Sequence, residues 1–231
     1  MIAAADFRSA KGATIDGADH SRRLPVRFER RTNMAEELPG TTRLILVRHG
    51  EPDEGNPLDP GDPPLSSQGM LQARRVAELL AGDGIDRIVS SPQRRARLTA
   101  QPLASLLDLP VEIVEGIAEV DLHTDRYRSP ETIKREYPER WTEFLASPAA
   151  FFGKDEAQFN AAVLGACEDL LASQARTIAV FSHGTPIKVL VQHALGLENR
   201  NKLRIGHCSL TRISGTTLAD LAVECVNDEY C

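Results

Sequence analysis

Cysteine is scarce in this 231-residue chain, and its four copies, Cys167, Cys208, Cys225 and Cys231, form no CxxC pair. That spacing argues against zinc modules and a disulfide framework and points to reduced thiols in a cytoplasmic protein. No secretory apolar region opens the chain. No apolar run approaches the roughly 20 residues that cross a bilayer, so no membrane partner is expected. A basic excess is missing too, since 33 Asp and Glu outnumber 27 Lys and Arg for a net charge of -6. No long-range field gathers nucleic acid, and any anion site must come from a few locally placed Arg and His side chains. No convincing cluster of metal ligands, internal repeat or low-complexity block is present, so neither a metal nor a cofactor is expected. No feature of the sequence sets an oligomeric state.

What is present suits a globular protein with a sizeable core, 42% hydrophobic and 26% charged. Residues 1–40 lack sustained periodicity and contain the Arg-rich run Arg22 to Arg31, which reads as a flexible N-terminal extension. From 41 to 231 the pattern alternates. Strand-like runs fall at RLILV (Arg43 to Val47), DRIVS (Asp86 to Ser90), VEIV (Val111 to Val114), TIAVFS (Thr177 to Ser182) and CSLTRI (Cys208 to Ile213). Helical spacing fits Ser66 to Leu80, with Leu71, Val76, Leu79 and Leu80 as its apolar residues and Ser66 as its cap. Further helices fit Gln93 to Leu107, with a kink expected at Pro102, and Glu131 to Leu145, Glu156 to Ala172 and Pro186 to Leu195. This alternation predicts an α/β three-layer sandwich whose mostly parallel central sheet is flanked by helices. A helical insertion over about 115–175 carries Trp141, Phe144, Phe151 and Phe152, read as subsidiary core rather than pocket lining.

In open α/β sheets ligands bind beyond the carboxyl ends of the strands, so the polar residues there are the candidates. After LILV come Arg48, His49 and Gly50, and after TIAVFS come His183 and Gly184, with Thr185 and Pro186 read as N-cap and first helical position. After RIVS comes SPQRRARLTA, where Ser91 and Pro92 read as a cap and helix start, followed by Arg94, Arg95 and Arg97. Two His-Gly junctions and an Arg-rich helix start suit a phosphate, because a transferring phosphoryl group spreads negative charge over its oxygens. A neutral imidazole can also attack phosphorus and hold the group covalently. The leaving oxygen then needs an acid, for which Glu115, Glu119 and Asp121 are all candidates. Asp59 to Asp62 reads as a solvated turn.

Taken in order, RHGE, PLSSQGMLQA, SSPQRRARLTA and SHGTPIK resemble the motifs of the histidine phosphatase superfamily, also called phosphoglycerate mutase-like, over roughly Arg43 to Ile213. The resemblance implies a metal-independent phosphatase that hydrolyses a small phosphomonoester through a phosphohistidine. It implies His49 as nucleophile, Arg48, Arg95 and His183 as the phosphate pocket, and Glu119 as proton donor, with His183 counted among the catalytic residues. The His nucleophile must be neutral, whereas His183 is expected to benefit from its proton. The pattern departs from the family at Pro52, at Gly55 and Asn56, in VDLHTDRY after Glu119, in GKDEAQ (Gly153 to Gln158) and at His207, where Asn is frequent. These departures touch specificity more than the phosphate pocket. The alternatives are mutase-type phosphoryl transfer and a non-catalytic phospholigand-binding protein; the missing loop insertions of glycolytic mutases favour hydrolysis.

Overall fold

A computed structural model describes residues 40–229. The extension expected over 1–40 lies outside the described residues apart from Gly40, as do His20 and Cys231. Strands β1 (Thr42–Arg48), β2 (Arg87–Ser90), β3 (Val111–Ile113), β4 (Thr177–Ser182), β5 (Leu210–Gly215) and β6 (Ala222–Asp228) form one sheet in the order β3-β2-β4-β1-β5-β6. The first four are mutually parallel, β5 pairs antiparallel to β1, and β6 pairs antiparallel to β5 at the sheet edge.

Layering follows from the period of two along β1. Leu44 and Leu46 pack on one face with Ile178 and Val180, against residues of α6 (Glu156–Leu171) and α7 (Gly184–Leu195). Ile45 and Val47 pack on the other with Ala179 and Phe181, against α1 (Ser67–Leu80) and α2 (Arg94–Leu107). Both faces are therefore dry, and the expected three layers are present. Burying one such aliphatic side chain contributes about 1.5–3 kcal/mol, which is why continuous apolar runs mark the inner strands.

Several local expectations need correction. The buried stripe of α1 is Gly69, Ala73, Val76, Ala77 and Leu80, whereas Leu71 and Leu79 face outward. The long helix expected over Glu131 to Leu145 is broken into α3 (Pro130–Glu136), a short 3-10 turn and α4 (Trp141–Ala146). Pro138 is the cause, because it disfavours helical backbone at Tyr137, which takes φ -133° and ψ 55°. The short helix α5 (Pro148–Phe151) follows. Pro102, expected to kink α2, lies inside a helix that continues to Leu107. Strand β6 gives no apolar run to read, since as the sheet edge it buries little on either side. Ser66 does cap α1, accepting from the Gly69 N–H at 3.0 Å.

Gly69 has a further role, because a Cβ on it would overlap the Glu51 carbonyl oxygen, and one on Gly50 would stand 2.7 Å from the Gly69 carbonyl oxygen. Helix α1 thus presses its first turn directly onto the loop after β1. Gly to Ala inside a helix ordinarily stabilises by up to about 1 kcal/mol; here the overlap reverses the sign. Gly69→Ala is expected to destabilise by about 1–3 kcal/mol, read as a lower denaturant midpoint with an unchanged slope.

Candidate functional site

The register of the parallel strands sets where the site forms. Arg48 pairs across from Ser182 and Ser90 from Phe181, so β1, β2 and β4 release their next residues at one level. His49 and His183 emerge side by side, ring centroids 5.0 Å apart and tilted by 57°. Both are buried, at 2% and 0% exposure, in a molecule where such polar groups need partners.

The hydrogen-bond network assigns their tautomers. His49 Nδ1 lies 2.7 Å from the Gly50 carbonyl, which only accepts, so Nδ1 carries the proton and Nε2 keeps a free lone pair. His183 Nε2 lies 2.6 Å from Ser91 Oγ, which also accepts from the Gln93 N–H at 3.2 Å. Where Ser91 donates to Nε2, a neutral His183 carries its proton on Nδ1, which has no hydrogen-bond partner. Burial, reinforced by Arg95, holds both imidazoles well below their ordinary pKa. Burial and the neighbouring arginines thus work against the imidazolium expected at His183 before a phosphate binds.

Around these rings stand two guanidiniums. Arg48 donates from Nη1 to the Ile205 carbonyl at 2.7 Å, while its buried Nε has no partner. Arg95 is fully buried, and its Nη2 donates to Asp121 Oδ1 at 2.8 Å. Its Nε and Nη1 have no hydrogen-bond partner, and Asp62 is no nearer to Nη1 than 3.9 Å. Tyr127 lies under the group, with Cζ 4.7 Å from the ring centroid. Arg94 and Arg97, by contrast, are exposed on α2.

The three candidate acids separate. Glu115 is exposed. Asp121 is tied to Arg95 and also accepts from Gln93 Nε2 at 2.7 Å. Glu119 lines the cavity, and its two carboxylate oxygens accept from the Val120 and Thr185 N–H groups at 2.9 and 3.1 Å. Burial first, then the negative Asp121, push its pKa up against those two bonds.

Two helix starts differ from expectation. Helix α2 begins at Arg94 with Gln93 in the cap position, not with Ser91 and Pro92, and the Asp62 carboxylate accepts from the Arg94 N–H at 2.8 and 2.9 Å. Asp62 therefore belongs to a folded contact rather than a solvated turn. Helix α7 begins at Gly184, so His183 holds the cap position and Pro186 falls in the first turn, where a missing N–H costs nothing.

A cavity of about 170 Å³ opens over this ensemble and is lined by Arg48, His49, Arg95, Glu119 and Asp121 at its inner end. Trp141, Phe144 and Phe152 line its outer part, correcting their assignment to subsidiary core, while Phe151 is buried. Pro52, Gly55, Asn56 and His123 are not among its lining residues. Gln93, Asp62, Tyr127, Arg128 and Lys188 are the site residues that sequence reasoning missed. The Arg-rich motif alone hinted at Gln93, which sits between its serines and arginines. Among the described residues no three His, Cys, Asp or Glu side chains are grouped as a metal ion would require, and no helix is long and apolar enough to cross a membrane.

Comparison with known proteins matches residues 44–228 to the Histidine phosphatase superfamily (branch 1). Phosphoserine phosphatase 1 of Hydrogenobacter thermophilus is 32% identical over 164 residues, covering 68% of this chain and 77% of its own. The probable phosphoglycerate mutase GpmB of Citrobacter koseri is 29% identical over 183 residues, covering 74% and 84%. The mycobacterial glucosyl-3-phosphoglycerate phosphatase, solved in complex with VO3, aligns at a TM-score of 0.68 and 26% identity over 81% of this chain and 100% of its own. The phosphoserine phosphatase of Entamoeba histolytica, in complex with 3-phosphoglyceric acid, aligns at 0.63 and 28% over 81% and 97%.

The buried imidazoles set a pH dependence of stability. His49, His183 and also His207, whose pKa burial pushes down to about 3, stay neutral when folded but take up protons near pH 6.5 once unfolded. Below that pH the unfolded chain binds more protons, so stability falls on acidification, by roughly 1.4 kcal/mol per pH unit for each such ring. Glu119 works in the opposite direction above its ordinary pKa, and three rings outweigh one carboxyl. Urea midpoints are expected to drop between pH 7.5 and 5.5, and His207→Asn to flatten the drop.

Proposed function

The chain belongs to the histidine phosphatase superfamily, and from that premise we propose that it is a phosphomonoester hydrolase acting through a phosphohistidine at His49. One observation carries this reading: Arg48 Nε and Arg95 Nε and Nη1 are buried without partners on residues that line the same cavity as His49 and Glu119, and His183 Nδ1 is likewise without a partner on a ring 5.0 Å from that of His49. Burying so many unsatisfied donors costs about 1–3 kcal/mol each. A phosphoryl group, with three outward oxygens, satisfies them together.

In the first step the lone pair on His49 Nε2 attacks phosphorus, the ester P–O bond breaks, and the departing oxygen takes the proton of the Glu119 carboxyl. In the second, water attacks the phosphohistidine, gives a proton to the Glu119 carboxylate, and the P–N bond breaks to release phosphate. The Gly50 carbonyl holds the His49 tautomer through both steps, as second partners do for reacting imidazoles. Ser91 does the same for His183, and Asp121 with Gln93 orients Arg95. The cavity is small beside the roughly 300–1,000 Å³ of drug-sized pockets, which supports a small phosphate ester as substrate. Free thiols at Cys167 and Cys225 support residence in a reducing cytoplasm.

Mutase-type transfer is the second reading, favoured by the similarity to a probable phosphoglycerate mutase. It requires exchange between 3- and 2-phosphoglycerate to outpace phosphate release. Purified protein is expected to release phosphate from p-nitrophenyl phosphate without added metal, and a base quench to trap label on His49. His49→Ala is expected to lose both; full activity in that variant overturns the mechanism. Glu119→Gln is expected to slow alkyl phosphates by about 10²–10⁴-fold and p-nitrophenyl phosphate much less, because nitrophenolate leaves without a proton.

A further inference from the structure

Glu119 follows the 3-10 turn Glu115–Ile117 and lies outside every helix and strand, so its main-chain N–H must find an acceptor elsewhere. Gln93 supplies it. This side chain is buried, at 2% exposure, and its Oε1 accepts from the Glu119 N–H at 2.7 Å while its Nε2 donates to Asp121 Oδ1 at 2.7 Å. A main-chain N–H only donates and a carboxylate only accepts, so one orientation of the amide satisfies both partners. The same Asp121 oxygen accepts from Arg95 Nη2 at 2.8 Å. Val120 and Thr185 hold the Glu119 carboxylate, but neither ties it to Arg95. The Gln93 main-chain N–H in turn donates to Ser91 Oγ at 3.2 Å, the hydroxyl beside His183 Nε2. One residue thus touches the supports of the acid, of the guanidinium and of the second imidazole.

Resting on the phosphatase reading, we propose that Gln93 is a positioning residue for proton delivery, whose amide fixes Glu119 relative to Arg95 and so sets where the acid stands against the ester oxygen leaving phosphorus. A general acid works only within about 2.6–3.2 Å of the atom it protonates, and a misplacement of ~1 Å can cost about 10²-fold in rate. Arg95 holds the phosphoryl group and Glu119 holds the proton, so the distance between them matters as much as either side chain. The chain of bonds from Glu119 through Gln93 and Asp121 to Arg95 sets it, with lengths of 2.7, 2.7 and 2.8 Å. Bonds shielded from water in this way are stiffer than their exposed counterparts. The amide also separates the two carboxyl groups by role. Asp121 takes its bond at a carboxylate oxygen, beside the Arg95 bond, whereas Glu119 takes it at the main chain and keeps its carboxyl for the proton.

The test pairs phenyl phosphate with p-nitrophenyl phosphate, which share a ring and differ in how far the leaving oxygen needs a proton. Gln93→Met, which keeps the length of the side chain and removes both bonds, is expected to lower the phenyl-to-nitrophenyl ratio of kcat/KM by about tenfold or more. Added to Glu119→Gln, whose ratio is already low, the same substitution is expected to change the ratio by less than about twofold, because both residues act on one proton transfer. Gln93→Glu, which keeps an acceptor for the Glu119 N–H, is expected to hold the ratio within about threefold of the wild type. A loss shared equally by the two esters overturns the proposal, since a structural part, or one exercised through Arg95 alone, does not distinguish them. A further fall of the ratio on Glu119→Gln, or a Gln93→Glu ratio as low as that of Gln93→Met, overturns it as well. These outcomes leave the phosphatase reading intact, whereas failure of the wild-type protein to hydrolyse either ester overturns both.

Discussion

A fully buried guanidinium with only part of its hydrogen-bonding capacity satisfied is the constraint on which the rest of the site depends. Arg95 enters the interior because Asp121 takes one end of its fork, Tyr127 lies beneath its plane and Gln93 fixes Asp121 in turn. Desolvation disfavours its charge, and Asp121, Tyr127 and Glu119 together outweigh it, so the net direction of its pKa is upward. Two donors remain unused. Nature tolerates such a debt where a ligand settles it, and an anion is the ligand that does so. The same carboxylate that makes Arg95 tolerable also raises the pKa of Glu119, so one network sets the cation and the acid together.

Precision comes from the sheet rather than from the loops. Parallel pairing of β1 with β4 and of β4 with β2 aligns the strand ends, and each following residue turns off from a backbone already bonded to its neighbour. The His49 N–H donates to the Ser182 carbonyl at 2.9 Å, and the Ser91 N–H to the Phe181 carbonyl at 3.0 Å. Helices then lock the loops from outside. Thr99 on α2 accepts from the Gly50 N–H at 3.0 Å, and Gly69 on α1 admits the Glu51 backbone against it. The proposed nucleophile, His49, is thereby held by three elements distant in sequence, as a reacting group must be.

Much of this was legible in the sequence, for a definable reason. Inner strands such as LILV and TIAVFS are apolar throughout because both faces are covered, and His, Gly and Arg directly after them stand out. The same reasoning failed where tertiary contact overrides local pattern. Leu71 and Leu79 have helical spacing with Leu80, yet small residues face the sheet because α1 approaches closely at Gly69. Asp62 reads as a turn residue until its carboxylate is seen to cap α2, 32 residues away. Gln93 joins Asp121 across 28 residues, a pairing that neither spacing nor composition encodes. The aromatics of the insertion could have served as core or wall, and only the fold of α4 and α5 over the strand ends decides for the wall.

Charge balance in the pocket also gives the proposed reaction its order. Before substrate arrives, Glu119 is pulled both ways, with burial and Asp121 favouring its proton and two backbone N–H groups favouring the carboxylate. A phosphate dianion beside it adds a like charge, which favours the protonated form needed to meet the leaving oxygen. The same dianion favours a proton on His183, whose pKa is otherwise depressed by burial and the two arginines. His49 is shielded from that proton at Nδ1, which is already committed to the Gly50 carbonyl, and phosphorus itself occupies the path to Nε2. Substrate binding therefore loads the acid without disarming the nucleophile. In the proposed reaction two imidazoles 5.0 Å apart take different roles because they face different partners, a carbonyl for one and a hydroxyl for the other.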